Sequence, residues 1–159
     1  MADRGLNGKV VLVTGAARRI GAAIVTRLHA EGADVAIHYR SSSQDAEDLA
    51  SRLNGERSDS AATFQADLLD MEQISTLMAD VCGWRGRLDA LVNNASTFYP
   101  TPVGSITEDH WRDLMGSNLK APLFLSQAAA PELAKRNGAI VNIVDIHSQR
   151  PLRNHAVYG

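Results

Sequence analysis

The sequence predicts an α/β fold, a doubly wound parallel sheet with helices on both faces, forming a single domain over residues 1–159. Three observations lead there. Short apolar runs alternate five times with longer amphipathic stretches. The apolar runs are continuous rather than alternately polar, as a strand covered on both faces requires. The first run also ends at Thr14-Gly15, with a helical pattern opening a few residues later. No internal repeat, low-complexity tract or linker interrupts the chain, which argues against a second domain.

Lys9 to Val13 (KVVLV) reads as the first strand, and Gly15 permits the tight turn after it. Ile20, Ala23, Ile24 and Leu28 then recur at helical spacing until Gly32 closes the run. Asp34 to Tyr39 (DVAIHY) is the second strand. Arg40 and the serines 41–43 lead from it into a charged helix, DAEDLASRL, expected to close at Asn54-Gly55. Ala61 to Ala66 (AATFQA) forms a third, weaker strand, with Asp67-Leu68 at its end. Met71 to Cys82 is amphipathic through Ile74, Leu77, Met78 and Val81. Leu88 to Val92 (LDALV) is the fourth strand and runs into Asn93-Asn94-Ala95-Ser96. A long helical tract covers Glu108 to Lys135, eased at Pro122 and ending at Asn137-Gly138. Ala139 to Val144 (AIVNIV) is the fifth strand, followed by a loop from Asp145 to Gly159.

Composition narrows the function classes. An apolar content of 45% is ordinary for a globular domain, and a net charge of -2 gives no reason to expect nucleic acid as a partner. The polar start, MADRGLNGK, carries no secretory apolar core, and no apolar run approaches the roughly 20 residues of a membrane span. Cys82 is the only cysteine, so an internal disulfide and a cysteine-based metal site are both excluded. His29, His38, His110, His147 and His155 show no pairing at ligand spacing, and no metal is expected. A cytoplasmic protein is the default.

In an open parallel sheet, ligands sit beyond the carboxyl ends of the strands. The first end is a glycine turn feeding a helix, the arrangement that holds a dinucleotide pyrophosphate against free N–H groups and the positive end of the helix dipole. Gly15 makes the turn and Gly21 allows close packing of helix on strand. Where a second glycine would stand in the middle of the loop, this chain has Arg19, which sets a positive fork beside the phosphates. Arg18 reads as a surface charge. The second strand ends in Arg40-Ser41-Ser42. Arginine and hydroxyls suit a ribose 2′-phosphate, where an acidic residue would suit the free hydroxyl, so NADP is expected over NAD. The plainer reading is a solvated helix start with Ser42 or Ser43 as N-cap. Asp67 suits an acceptor for the adenine amino group or a turn residue. By residue type alone, Phe98 suits core or loop packing, Asp145 an exposed loop carboxylate and Asn118 a helix residue bonding its neighbours.

TGAARRIG after the first strand, NNAS after the fourth and a tyrosine after the fifth resemble the short-chain dehydrogenase/reductase family, whose sheet is Rossmann-like. Within that family the details are similar to the pteridine reductases. Arg19 replaces the middle glycine, HYRSS follows strand two, and Asn94 to Pro102 reads NASTFYPTP. Asp145 stands where most of the larger family has serine. The resemblance implies that Arg19, Ile20, Arg40, Ser41, Ser42, Asp67, Leu68, Asn94, Ala95 and Ser96 contact NADPH, with Gly15 and Gly21 shaping the loop. It implies that Phe98 stacks a pterin against the nicotinamide, with Arg19, Ser96, Asp145 and Tyr158 also at the substrate. Asp145 and Tyr158 would be the catalytic pair, and Asn118 would support their proton relay.

These residue types suit one chemistry better than others. An ionised carboxylate cannot donate a hydrogen bond to a forming alkoxide and would repel its charge. Asp145 therefore argues against a simple ketone. It fits reduction of a ring C=N, in which Tyr158 delivers a proton to nitrogen. A flat heteroaromatic substrate also gives Phe98 a stacking partner, worth about 0.5–1.5 kcal/mol beyond burial. The expected activity is NADPH-dependent reduction of a dihydropterin or dihydrofolate. The alternatives are a reductase of another carbonyl or imine, or a non-catalytic nucleotide-binding module. The family's lysine three residues past the tyrosine is absent, because Tyr158 is followed by Gly159 alone. The sequence therefore reads as part of a longer enzyme, expected to be a homotetramer when intact. The 159 residues by themselves would bind cofactor poorly, and their fifth strand would present an apolar edge.

Overall fold

A computed structural model describes residues 5–159, so the polar start through Arg4 lies outside the described residues. Five strands form one sheet: β1 (Val10–Val13), β2 (Asp34–Tyr39), β3 (Ala61–Gln65), β4 (Ala90–Asn93) and β5 (Ala139–Asn142). Their spatial order is β3-β2-β1-β4-β5, with every pair parallel. Leu12 of β1 lies beside Ala36 on one side and Leu91 on the other. The order reverses between β1 and β4, which places the ligand crevice at their carboxyl ends.

The helices cover both faces because β1 is apolar at every position. Val10 and Leu12 join one cluster with Ile74, Leu77 and Val81 of α3 (Met71–Arg85) and Leu125 and Ala129 of α5 (Ala121–Ala134). Val11 and Val13 join the other, with Val25 of α1 (Arg19–Ala30) and Leu49 and Leu53 of α2 (Ser43–Glu56). Successive β1 side chains thus point to opposite layers, as the strand period demands. No helix among the described residues is long and apolar enough to cross a membrane.

The elements depart from the sequence expectations in four places. The second helix runs through Gly55 to Glu56, because its end is set elsewhere. The Asn54 side chain donates to Ala61 O (2.9 Å) and accepts from Ser60 N (2.8 Å), and Asp59 supplies the left-handed turn residue at φ 55°. The long helical tract is three pieces: α4 (Glu108–Met115), a π-helical turn (Gly116–Lys120) and α5. The break falls before Pro122, which has no N–H to give the Asn118 carbonyl one turn back. β4 starts at Ala90 rather than Leu88. The buried Asp89 ahead of it uses its carboxylate to accept the Val10 N–H at 2.9 Å. β5 ends at Asn142, short of Val144, and all four of its residues are exposed. It is the sheet edge, so the apolar edge implied by the sequence is present, with Val144 just beyond it 83% exposed.

Candidate active site

The carboxyl ends of β1 and β4 are laced together by side chains. Thr14 Oγ1 accepts the N–H groups of Asn94 and Ala95, each at 3.0 Å. Asn94 Nδ2 donates to Thr14 O (2.9 Å) and Gly15 O (3.1 Å). Gly15 sits at φ 59°, and a Cβ there would come within 2.8 Å of Ala95 Cα. A Cβ on Gly21 would meet Gly15 O at 2.4 Å. Both glycines are therefore required by the close approach of backbone to backbone.

This turn opens onto a cleft of about 560 Å³. Gly15, Arg19, Ile20, Gly21, Arg40, Asp67, Leu68, Asn94, Ala95 and Ser96 all line it, as the sequence expects of a cofactor site. Ser41 and Ser42 stand outside the lining; Ser42 is at the N-cap position of α2, though its hydroxyl makes no capping bond. Arg19 adopts φ 51°, the left-handed conformation its glycine-like place in the loop imposes, at a cost of about 1–2 kcal/mol. Arg18 borders the cleft as well, with its guanidinium paired to Asp45, Nε 2.7 Å from Oδ2. The first turn of α1 holds no acidic residue and has no side-chain cap, so its N–H groups and dipole are free for an anion. These features fit the phosphates of a dinucleotide. Arg40 Nε lies 3.5 Å from Asp67 Oδ2, while Asp67 Oδ1 accepts the Leu69 N–H at 3.0 Å, so Asp67 also makes the local turn.

Outside the cleft lining, but joined to it through the Ser96 hydroxyl, Tyr158 donates its hydroxyl to Asp145 Oδ2. Asp145 Oδ1 accepts the His147 N–H at 2.8 Å. The tyrosine bond, reinforced by that N–H, holds the Asp145 carboxyl below its ordinary range. Burial raises the Tyr158 phenol, and the neighbouring carboxylate adds to the effect, while the Ser96 hydroxyl opposes it. At neutral pH the pair is a protonated tyrosine on an ionised aspartate. Fully buried Thr101 tethers the loop carrying the tyrosine, accepting Val157 N–H at 3.1 Å and donating its own N–H to Asn154 O at 2.6 Å.

Phe98 is 52% exposed and is not a core residue. Tyr158 meets its ring edge-on, with centroids 4.8 Å apart. His155 lies nearly parallel to it at 4.7 Å and 16°. The stacking expected between Phe98 and a flat ligand is thus already made on the ring by an imidazole. Asn118 sits in the π-helical turn and does not bond its helix neighbours. Its amide takes both partners from one residue, accepting Thr97 N–H (3.0 Å) and donating to Thr97 O (2.8 Å).

A sheet of order β3-β2-β1-β4-β5, a glycine turn latched to β4 and a tyrosine beyond β5 occur together here, and residues 9–159 match the family model described as short chain dehydrogenase. The chain belongs to that family. Among its relatives, Pteridine reductase 1 of Leishmania tarentolae is 39% identical over 94% of this chain and 65% of its own length. The 3-oxoacyl-(acyl-carrier-protein) reductase FabG of Staphylococcus aureus is 35% identical over 87% of this chain and 56% of its own. A hydroxynaphthalene reductase-like protein of Metarhizium robertsii is 31% identical over 98% and 58%. The chain therefore spans somewhat more than half the length of these short-chain reductases. The family is one of oxidoreductases that use a nicotinamide cofactor.

Five cleft residues escaped the sequence reading: Arg18, His38, Leu69, Thr97 and Ser117. His38 lines the floor, and Thr97 and Ser117 line the wall, with Ser117 Oγ 2.6 Å from Thr97 Oγ1. The signal for His38 was a histidine inside an otherwise apolar strand. Thr97 and Ser117 are ordinary polar residues whose meeting across 20 positions has no sequence mark.

Proposed function

We propose that this short-chain dehydrogenase is the nucleotide-binding and catalytic part of an NADPH-dependent pteridine reductase, reducing a ring C=N of a dihydropterin or dihydrofolate. The observation that carries the reading is the hydrogen bond from Tyr158 to Asp145 beside the exposed ring of Phe98. Gly15, Arg19, Gly21, Arg40 and Asn94 would hold a reduced nicotinamide dinucleotide, which would supply the hydride for the ring carbon. Tyr158 gives the adjacent nitrogen its proton, and its raised pKa keeps that proton available across neutral pH. Asp145 fixes the phenol hydroxyl and, as a permanent acceptor, selects a substrate edge that presents N–H rather than a forming oxyanion. Asn118 holds the Thr97 backbone and so the neck of the segment bearing Phe98. Arg40 directly after the end of β2, flanked by Tyr39 and Ser41 rather than by an acidic residue, supports preference for the 2′-phosphate. The 39% identity to a protein named pteridine reductase supports the substrate class. In the same reading the intact protein is a cytoplasmic homotetramer.

The test is NADPH oxidation with dihydrobiopterin, with dihydrofolate and with a 3-oxoacyl thioester. The expected result is turnover of the first two that Tyr158→Phe lowers by about a hundredfold or more, with NADPH affinity kept. Turnover of the thioester alone sinks the pterin assignment and leaves the reductase.

A further inference from the structure

His38 of β2 is 2% exposed and takes no part in the proton chemistry above. It nevertheless controls the start of the glycine turn. Its backbone carbonyl accepts the Ala16 N–H at 2.8 Å, and its ring Nδ1 accepts the Gly15 N–H at 3.1 Å. Nε2 lies 3.1 Å from Ala66 O, at the end of β3. A carbonyl can only accept and an amide N–H can only donate, so the ring is neutral with its proton on Nε2. A second proton on Nδ1 would face the Gly15 N–H, donor against donor. Burial resists that proton as well and lowers the pKa to about 4, against the pull of the Ala66 carbonyl and of Asp67.

Two successive N–H groups of the turn are thus committed to one residue of the neighbouring strand. Gly15 is fixed in its left-handed conformation from below by His38 and from above by Ala95. The N–H groups of Arg19, Ile20 and Gly21 follow within the first turn of α1, where they have no acceptor inside the helix.

We propose that His38 is a positioning residue for the dinucleotide: the Nδ1 lone pair sets the Gly15 peptide plane and so aims the first turn of α1 at the pyrophosphate. This inference rests on the nicotinamide-cofactor reading. It makes a distinction that simple core packing does not. An asparagine places its carbonyl oxygen near the position of Nδ1 and keeps an acceptor for Gly15. A glutamine reaches the position of Nε2 and keeps only the link to Ala66.

The experiment titrates NADPH by fluorescence into wild type, His38→Asn and His38→Gln, with circular dichroism confirming that each is folded. Nitrogen NMR of the wild-type imidazole reports the tautomer. The expected result is an Nε2-protonated ring, His38→Asn within about threefold of wild type, and His38→Gln weaker by about tenfold, the effect of one misaligned donor. Equal affinity in all three proteins, or an equal loss in both variants, overturns the role of His38. If His38→Gln does not fold, an Nδ1-protonated wild-type ring or a tenfold loss in His38→Asn overturns it. A wild type that binds neither NADPH nor NADH overturns this inference together with the cofactor reading, a result distinct from equal binding by all three.

Discussion

Lowering the pH from about 7.5 to about 5 adds a proton to His38 in the unfolded chain but not in the native one. The ordinary imidazole pKa of 6.5 falls to about 4 in the fold, because burial penalises the charge. Between those values the unfolded state binds the extra proton, so stability falls as pH falls; above 6.5 neither state holds it and the contribution is flat. The full displacement corresponds to about 3 kcal/mol, and about 2 kcal/mol of it is lost by pH 5. Other groups titrate over the same range, including His29, which burial also lowers. The measurement is therefore a difference. Urea unfolding of wild type and of His38→Asn at both pH values isolates the imidazole, since asparagine does not titrate. Wild type should lose about 2 kcal/mol more than the variant. Parallel losses would mean that His38 takes up its proton in the native state, and the neutral-ring geometry would be refuted.

Gly15→Ala should destabilise the protein by about 1–3 kcal/mol, because the new methyl meets Ala95 Cα at 2.8 Å in a left-handed backbone; a thermal melt checks it. Asp145→Asn removes a carboxylate that raises the Tyr158 pKa, so the alkaline limb of the kcat/KM profile should move to lower pH, and an unmoved limb would mean that the two groups are not coupled in turnover. Arg40→Ala should weaken NADPH by about 1 kcal/mol or more while leaving NADH nearly unchanged, as separate titrations would show. Leu12→Ala, fully buried in the core layer packed against α3 and α5, should cost about 2–5 kcal/mol in denaturant unfolding.

What could be read from the sequence was whatever local chemistry dictates. The apolar runs VVLV and DVAIHY had to be buried strands, and Thr14-Gly15 had to be a turn. Ten of the twelve residues expected around the cofactor line one cleft because strand ends converge in a parallel sheet. What could not be read depended on partners far along the chain. The acceptor for the Gly15 N–H is a ring 23 residues away, and His155 on Phe98 follows from the path of a loop tethered at Thr101. The end of α2 misled because Asn54-Gly55 resembles a helix stop, while the contacts that end the helix belong to Asn54 and Asp59. Ser41 and Ser42, whose hydroxyls suit a phosphate by residue type, lie outside the cleft lining, with Ser42 at the N-cap position of α2.

The π-helical turn at Gly116–Lys120 has a consequence for how the chain tolerates length changes. A π turn carries one residue more than the α turn it interrupts, and each residue advances a helix by about 100°. Deleting a single residue there would restore a regular helix and rotate everything on one side of the cut. Either Asn118 would swing off Thr97, or Leu125 and Ala129 would leave the core. The register of Asn118 on one side and of the α5 core face on the other is reconciled only by that surplus residue, so this turn should accept substitutions far more readily than a deletion.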